Sequence, residues 1–147
     1  MVAATDLSDP LEMFAVYFLS WICLVFFPHC LAHYIVGRLV GVRFSHYAIG
    51  KSSITKLGLP LVSSFASALP LLTLKIERRS LRSVSHGARA VMFASGATAS
   101  MILPFLVVVV SFEHLPLALS LALVLISVAN LGFDLYYSPR AGDISRI

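Results

Sequence analysis

The residues best placed to do chemistry are His29 and His33, in the run Pro28-His29-Cys30-Leu31-Ala32-His33. A spacing of four puts both imidazoles on one face of a helix. One metal ion can then take two ligands from a single element. Further along, Asn130 and Asp134 repeat the same spacing, and a second acid, Asp143, follows in Pro139-Arg140-Ala141-Gly142-Asp143. Either aspartate could complete a three-ligand set of His29, His33 and Asp134 or Asp143. The competing readings are plain ones: packing histidines, a helix-end acid paired with Arg140, and a solvated or helix-capping Asp143.

The elements that must position these residues are apolar. Of 147 residues, 59% are hydrophobic and only 12% charged, half the charged share of an ordinary soluble domain. Lipid must solvate much of that surface. The chain is therefore expected to be a single all-α membrane domain over residues 1–147, with spans at about 11–36, 88–112 and 115–137. Each is near the ~20 apolar residues a bilayer requires. A further stretch, Leu57–Leu74, carries Pro60, Pro70 and serines, and reads as a re-entrant or fourth spanning segment. The first ten residues hold Asp6 and Asp9 and no cation, so no removable signal peptide is expected.

Charge sets the orientation. From Arg38 to Arg89 there are nine Lys or Arg and one acid, Glu77. If Leu57–Leu74 dips in and returns, all these cations share one side, as the positive-inside rule requires. Three true spans follow, with residues 1–10 outside and the C-terminus cytoplasmic, in the plasma membrane. The net charge of +4 is then a membrane-face feature, and nucleic acid is not an expected partner. In this topology His29 lies 18 residues past Leu11 and Asp134 18 past Pro116, so they reach similar depth. Ionisable groups there face a protein interior or a cavity.

The other candidates have simpler roles. His46, His86 and His114 read as surface histidines, and Arg79–Arg89 as a headgroup-contacting loop. Gly96, Ala97, Ala99 and Ser100 read as a close helix-packing face, not a ligand site. Cys23 and Cys30 are seven residues apart on one helix, too far to bridge. One helix cannot clamp a haem from both sides, although a single imidazole could still hold a haem or pigment.

The serial order of features resembles the site-2 protease family of intramembrane zinc metalloproteases. Phe27 to Gly50, FPHCLAHYIVGRLVGVRFSHYAIG, is similar to that family's HExxH helix, its Gly/Arg exit and an extended segment ending near Ile-Gly. Ser85 to Phe105 is similar to its small-residue helix, and Asn130 to Asp143 to a diverged closing motif. The resemblance implies a three-helix core with zinc held by His29, His33 and one aspartate, with Asn130 close by. The departures bear on activity. Cys30 stands where the family has the Glu that serves as general base, and a thiol is a poor replacement. The middle helix has Gly96-Ala97 in place of Gly-Pro, and the closing motif lacks its proline. The expectation is a metal-binding pseudoenzyme that holds a transmembrane partner or serves as an accessory subunit of a membrane complex. The alternatives are an active intramembrane metallopeptidase, or a structural or pigment-associated subunit without its own metal.

Overall fold

The computed structural model describes residues 9–50, 71–140 and 142–146. The chain is α-helical, with three helical stretches long and apolar enough to cross a membrane: Pro10–Leu39, His86–His114 and Leu117–Tyr137. It is an integral membrane protein by this architecture.

Helix α1 spans Pro10–Leu39. Its start is specified locally. Asp9 accepts a hydrogen bond from the Leu11 N–H at 2.8 Å, and Pro10 occupies the first turn, where its missing N–H costs nothing. Its end is equally definite. Gly41 takes φ +92°, and Gly41 N and Val42 N return to the carbonyls of Arg38 and Gly37 at 3.2 and 2.8 Å. This is the paired hydrogen-bond closure that a left-handed glycine permits. At 1.5 Å per residue the helix is about 45 Å long, so it overreaches the ~30 Å hydrocarbon core.

Two strands follow, β1 (Phe44–Gly50) and β2 (Leu71–Ile76), paired antiparallel with Tyr47 opposite Leu74 and Gly50 opposite Leu71. Most of the expected re-entrant or spanning segment lies outside the described residues. Its last four residues, Leu71–Leu74, belong to strand β2. A short helix, α2 (Arg78–Ser83), comes next. Its buried Ser80 accepts from Arg43 N at 2.8 Å and donates to the Glu77 carbonyl at 2.9 Å, tying α2 to the exit of α1.

The expected span at 88–112 is two helices, α3 (His86–Ile102) and α4 (Pro104–His114). Pro104 is the cause: its ring nitrogen cannot donate to the carbonyl four residues back, that of Ser100. In lipid such a freed carbonyl needs another donor. Asn130 supplies it, its Nδ2 lying 3.2 Å from the Ser100 oxygen. Helix α5 spans Leu117–Tyr137, and a 3-10 turn, Ile144–Arg146, closes the chain.

Helix α1 runs antiparallel to α3–α4, as the pairings His33–Met92 and His29–Ser100 require, and α5 runs antiparallel to α3–α4 by Asn130–Ser100 and Ser120–Ser111, hence parallel to α1. Two apolar clusters hold the bundle. One joins Trp21, Val107, Val108, Leu115 and Leu123. The other sets Val42, Met92 and Phe93 against Phe44, Ile76 and Leu81. Lipid tails are as apolar as leucine, so packing and polar contacts decide which faces meet. Ser100, Ser111, Ser120 and Ser127 are all buried. Ser120 Oγ donates to the Ser111 carbonyl at 3.1 Å, and Trp21 Nε1 to Ser127 Oγ at 2.8 Å. Large side chains such as Phe27, Val109 and Leu125 face outward.

Candidate metal centre

His29 and His33 lie on the third-last and second-last turns of α1, just after Pro28. Their rings meet edge to face, with centroids 4.8 Å apart. His33 is the more enclosed, with 12% of its side chain exposed against 32% for His29. His33 Nδ1 lies 2.7 Å from the Met92 carbonyl. A carbonyl only accepts, so Nδ1 carries a proton, and in the neutral ring the lone pair is then on Nε2.

That lone pair can approach α3 because position 96 is glycine. A Cβ there would sit 2.5 Å from His33 Cε1 and 2.6 Å from Cδ2. Gly96 and Ser100 were expected to form a packing face apart from any ligand site. Both touch the histidines: Gly96 underlies the His33 ring, and Ser100 Oγ lies 3.3 Å from His29 Nδ1. The packing face and the wall of the site are one surface.

The two aspartates take different places. After α5 the chain doubles back, with Gly142 N bonded to the Tyr137 carbonyl at 3.2 Å and Ser145 N to that of Ser138 at 3.0 Å. The turn is tight enough that a Cβ at Gly142 would lie 2.8 Å from Ser138 Cα. It delivers Asp143 to the histidines, with Oδ2 at 2.9 Å from His29 Nε2 and 3.0 Å from His33 Nε2. The two Nε2 atoms are 3.3 Å apart.

Asp134 stands one contact further out, its Oδ2 3.4 Å from Ser100 Oγ. Arg140, the partner of the plainer reading of Asp134, instead donates to the Tyr136 carbonyl at 2.9 Å and stacks over the Tyr136 ring. Asn130 serves the carbonyl that Pro104 frees and does not reach the imidazoles' Nε2 atoms. Neither Cys23 nor Cys30 is in a disulfide. His46, His86 and His114 are exposed, as expected of surface histidines.

Among the described residues, His29, His33 and Asp143 are the group whose donor atoms converge closely enough to hold a metal ion. Ligand atoms about 2.0–2.1 Å from a tetrahedral zinc lie roughly 3.3 Å from one another. The observed separations of 2.9, 3.0 and 3.3 Å are close to that edge. Two neutral imidazoles and a carboxylate also suit zinc chemically, and three ligands leave a fourth position open. Comparison of the chain with family models, with curated proteins and with solved structures found no match.

Proposed function

We propose that this protein is a membrane-embedded metal-binding subunit, built like the core of a site-2 protease and catalytically silent, that holds a transmembrane helix of a partner or serves a larger membrane complex. The observation that carries the reading is the convergence of His29 Nε2, His33 Nε2 and Asp143 Oδ2 within 3.3 Å. With the His33 proton committed to Met92, three electron-rich atoms face one point. A cation there relieves their repulsion. Zinc bound by this set would act as a Lewis acid toward a carbonyl or a water.

Silence is inferred from position 30. A thiol follows His29 where hydrolysis needs a carboxylate, and losing a general base costs roughly 10²–10⁴ in rate. The orientation proposed is N-terminus outside and C-terminus cytoplasmic, in the plasma membrane. It is supported by the gathering of Arg38, Arg43, Lys75, Arg78, Arg79 and Arg82 around the exit of α1, the hairpin and α2.

Metal analysis of detergent-purified protein tests the proposal. About one zinc per chain, lost in His33→Ala, is expected of a His/His/Asp site. An empty wild type sinks it and leaves a structural or pigment-bearing subunit. A second reading, an active intramembrane peptidase, is favoured by Asp134, a carboxylate outside the converging donors yet bonded into the site through Ser100. Cleavage of a single-span peptide by zinc-loaded wild type, abolished in Asp134→Asn, would establish it in place of the silent one.

A further inference from the structure

One end of the bundle gathers cations and gives them no counter-charge. Arg38 ends α1 and Arg43 follows it, while Arg79 and Arg82 lie on α2, which Ser80 ties to Arg43. All four are exposed. Helix α2 turns Leu81 inward against Val42 and Met92, so its arginines are left on the outer side. Arg89 comes next, in the first turn of α3. None of the five has a carboxylate partner among the described residues. Glu77, the acid nearest to them in the chain, is itself exposed and pairs with none.

Arg89 is the costly member. Its Nε is buried and has no hydrogen-bond partner among the described residues. A guanidinium cannot shed its proton, so burial is not relieved by neutralisation. The positive end of the α3 dipole lies in the same turn, and no acid stands there to offset it. An anion beside Nε would remove both penalties. Met92, one turn further along α3, packs against Gly37 and Val42, so Arg89 is on the side of α3 that faces the end of α1. Its depth fits a lipid phosphate. The helical run from Arg89 to His114 is about 37 Å long at 1.5 Å per residue, more than the ~30 Å hydrocarbon core. Apolar side chains stand exposed beside the cations: Leu39 next to Arg38 and Val91 two residues past Arg89, at 80% and 57%.

We propose that the end of α1, α2 and the first turn of α3 form a binding site for an anionic phospholipid, with Arg89 as the buried anchor of its phosphate, Arg38, Arg43 and Arg82 around it, and its acyl chains against Leu39 and Val91. Arginine suits the task, because its planar fork matches phosphate oxygens. Ordinary attraction to an anionic membrane only counts charges near the surface. A buried Nε asks for an acceptor at one point, so here the kind of cation matters as well as its charge. The site lies apart from the histidines and does not rest on the metal reading.

The experiment titrates the full chain, in nonionic micelles, with phosphatidylglycerol or with phosphatidylcholine of the same acyl chains. Native mass spectrometry counts bound lipid, and thermal unfolding reads stability on the same samples. The wild type should retain phosphatidylglycerol in preference to phosphatidylcholine and unfold at a higher temperature with it. Arg89→Gln should weaken phosphatidylglycerol about fivefold or more, the share of one cation near an anionic surface. Arg89→Lys keeps the charge but has no donor at the Nε position, and should weaken it as well. Arg140→Gln removes the same charge from the end of α5 and should leave binding unchanged. Without lipid, Arg89→Gln should unfold no sooner than the wild type, since it loses a cation from a helix N-terminus. Equal losses in Arg89→Gln and Arg140→Gln, or full binding in Arg89→Lys, would reduce the effect to surface attraction and overturn the site. Displacement of the lipid by inorganic phosphate at matching concentration would show that the anion alone is recognised, and the lipid assignment would fall. A wild type that does not prefer phosphatidylglycerol refutes the proposal without any variant. An Arg89→Gln protein already less stable without lipid shows that Arg89 serves the fold itself, and refutes it too.

Discussion

Replacing Gly96 with alanine tests the site through its floor. An added Cβ would overlap the His33 ring, 2.5 Å from Cε1 and 2.6 Å from Cδ2. The ring is not a free end. Nδ1 is bonded to Met92 O at 2.7 Å and Nε2 faces Asp143 at 3.0 Å, so relief requires giving up both. Against this stands a gain, because alanine in a helix interior is favoured over glycine by about 0.5–1 kcal/mol. Overpacking costs about 1–3 kcal/mol, and the lost hydrogen bond about 0.5–1.5 kcal/mol more. The Met92 carbonyl keeps Ser95 Oγ at 2.7 Å, so no buried acceptor is orphaned. The net is a loss of about 0.5–4 kcal/mol. Gly132→Ala is the internal control, since a Cβ there meets nothing within 4 Å. It should be neutral or stabilising by up to about 1 kcal/mol. Reversible unfolding in mixed micelles would read stability, and chelator competition would read zinc. Displacing one of three ligands should weaken zinc by at least about 100-fold, the upper end of what outer-partner changes cause. If Gly96→Ala matches Gly132→Ala in both stability and zinc affinity, the His33 ring does not lie over Gly96 and the account of the site's floor is wrong.

Asn130→Ala should cost about 0.6–1.7 kcal/mol, the range for a polar contact between membrane helices. In a Pro104→Ala background, where the Ser100 carbonyl regains its own helical donor, the cost should shrink; equal penalties in both backgrounds would refute the link between Asn130 and the break. Trp21→Phe removes the 2.8 Å bond to Ser127 and should lower stability by a similar ~0.6–1.7 kcal/mol without altering zinc affinity, measured by the same competition assay. Gly142→Ala would push a Cβ to 2.8 Å from Ser138 Cα; opening that turn should weaken zinc about tenfold or more with the unfolding midpoint of the bundle unchanged, and an intact affinity would show that Asp143 does not depend on this turn.

What could be read from the amino-acid sequence followed the strength of each local signal. Long apolar runs located the three spanning stretches within a few residues, because the bilayer thickness sets their length. The spacing of His29 and His33 required a shared face. Their depth relative to Asp134 followed from counting, and Ser100 touches both His29 and Asp134. The strands were not legible as strands. Leu71–Leu74 continues an apolar run, and a short apolar run has no periodicity that separates strand from helix. Its pairing with Tyr47–Gly50 depends on contacts more than twenty residues away in the chain. The choice between the aspartates was also non-local. Asp134 had the better depth, but Asp143 reaches the imidazoles through a turn whose tightness rests on Gly142. The glycine beside Asp143 was the available signal.

Pro104 was a missed signal of a different kind. Within one long apolar run a proline changes the hydropathy little. Its physical effect is to leave one carbonyl without a donor in a medium that offers none. That carbonyl belongs to Ser100, whose hydroxyl faces His29. A donor had to come from a neighbouring helix at that depth, and Asn130 is that donor. Once Asn130 is fixed there, Asp134, one turn on along α5, falls beside the Ser100 hydroxyl. The polar residues of the bundle's interior are therefore not scattered. Pro104 breaks the helix, Asn130 repairs the break, and the repair draws α5 to the histidine face of α1. Close approach there is allowed by Gly96 and Ala97, which keep the helices from being held apart. The same small residues that let the helices touch let the imidazoles meet. This is why the packing motif and the ligand site occupy one stretch of α3, and why substitutions at the helix break should be felt at His29.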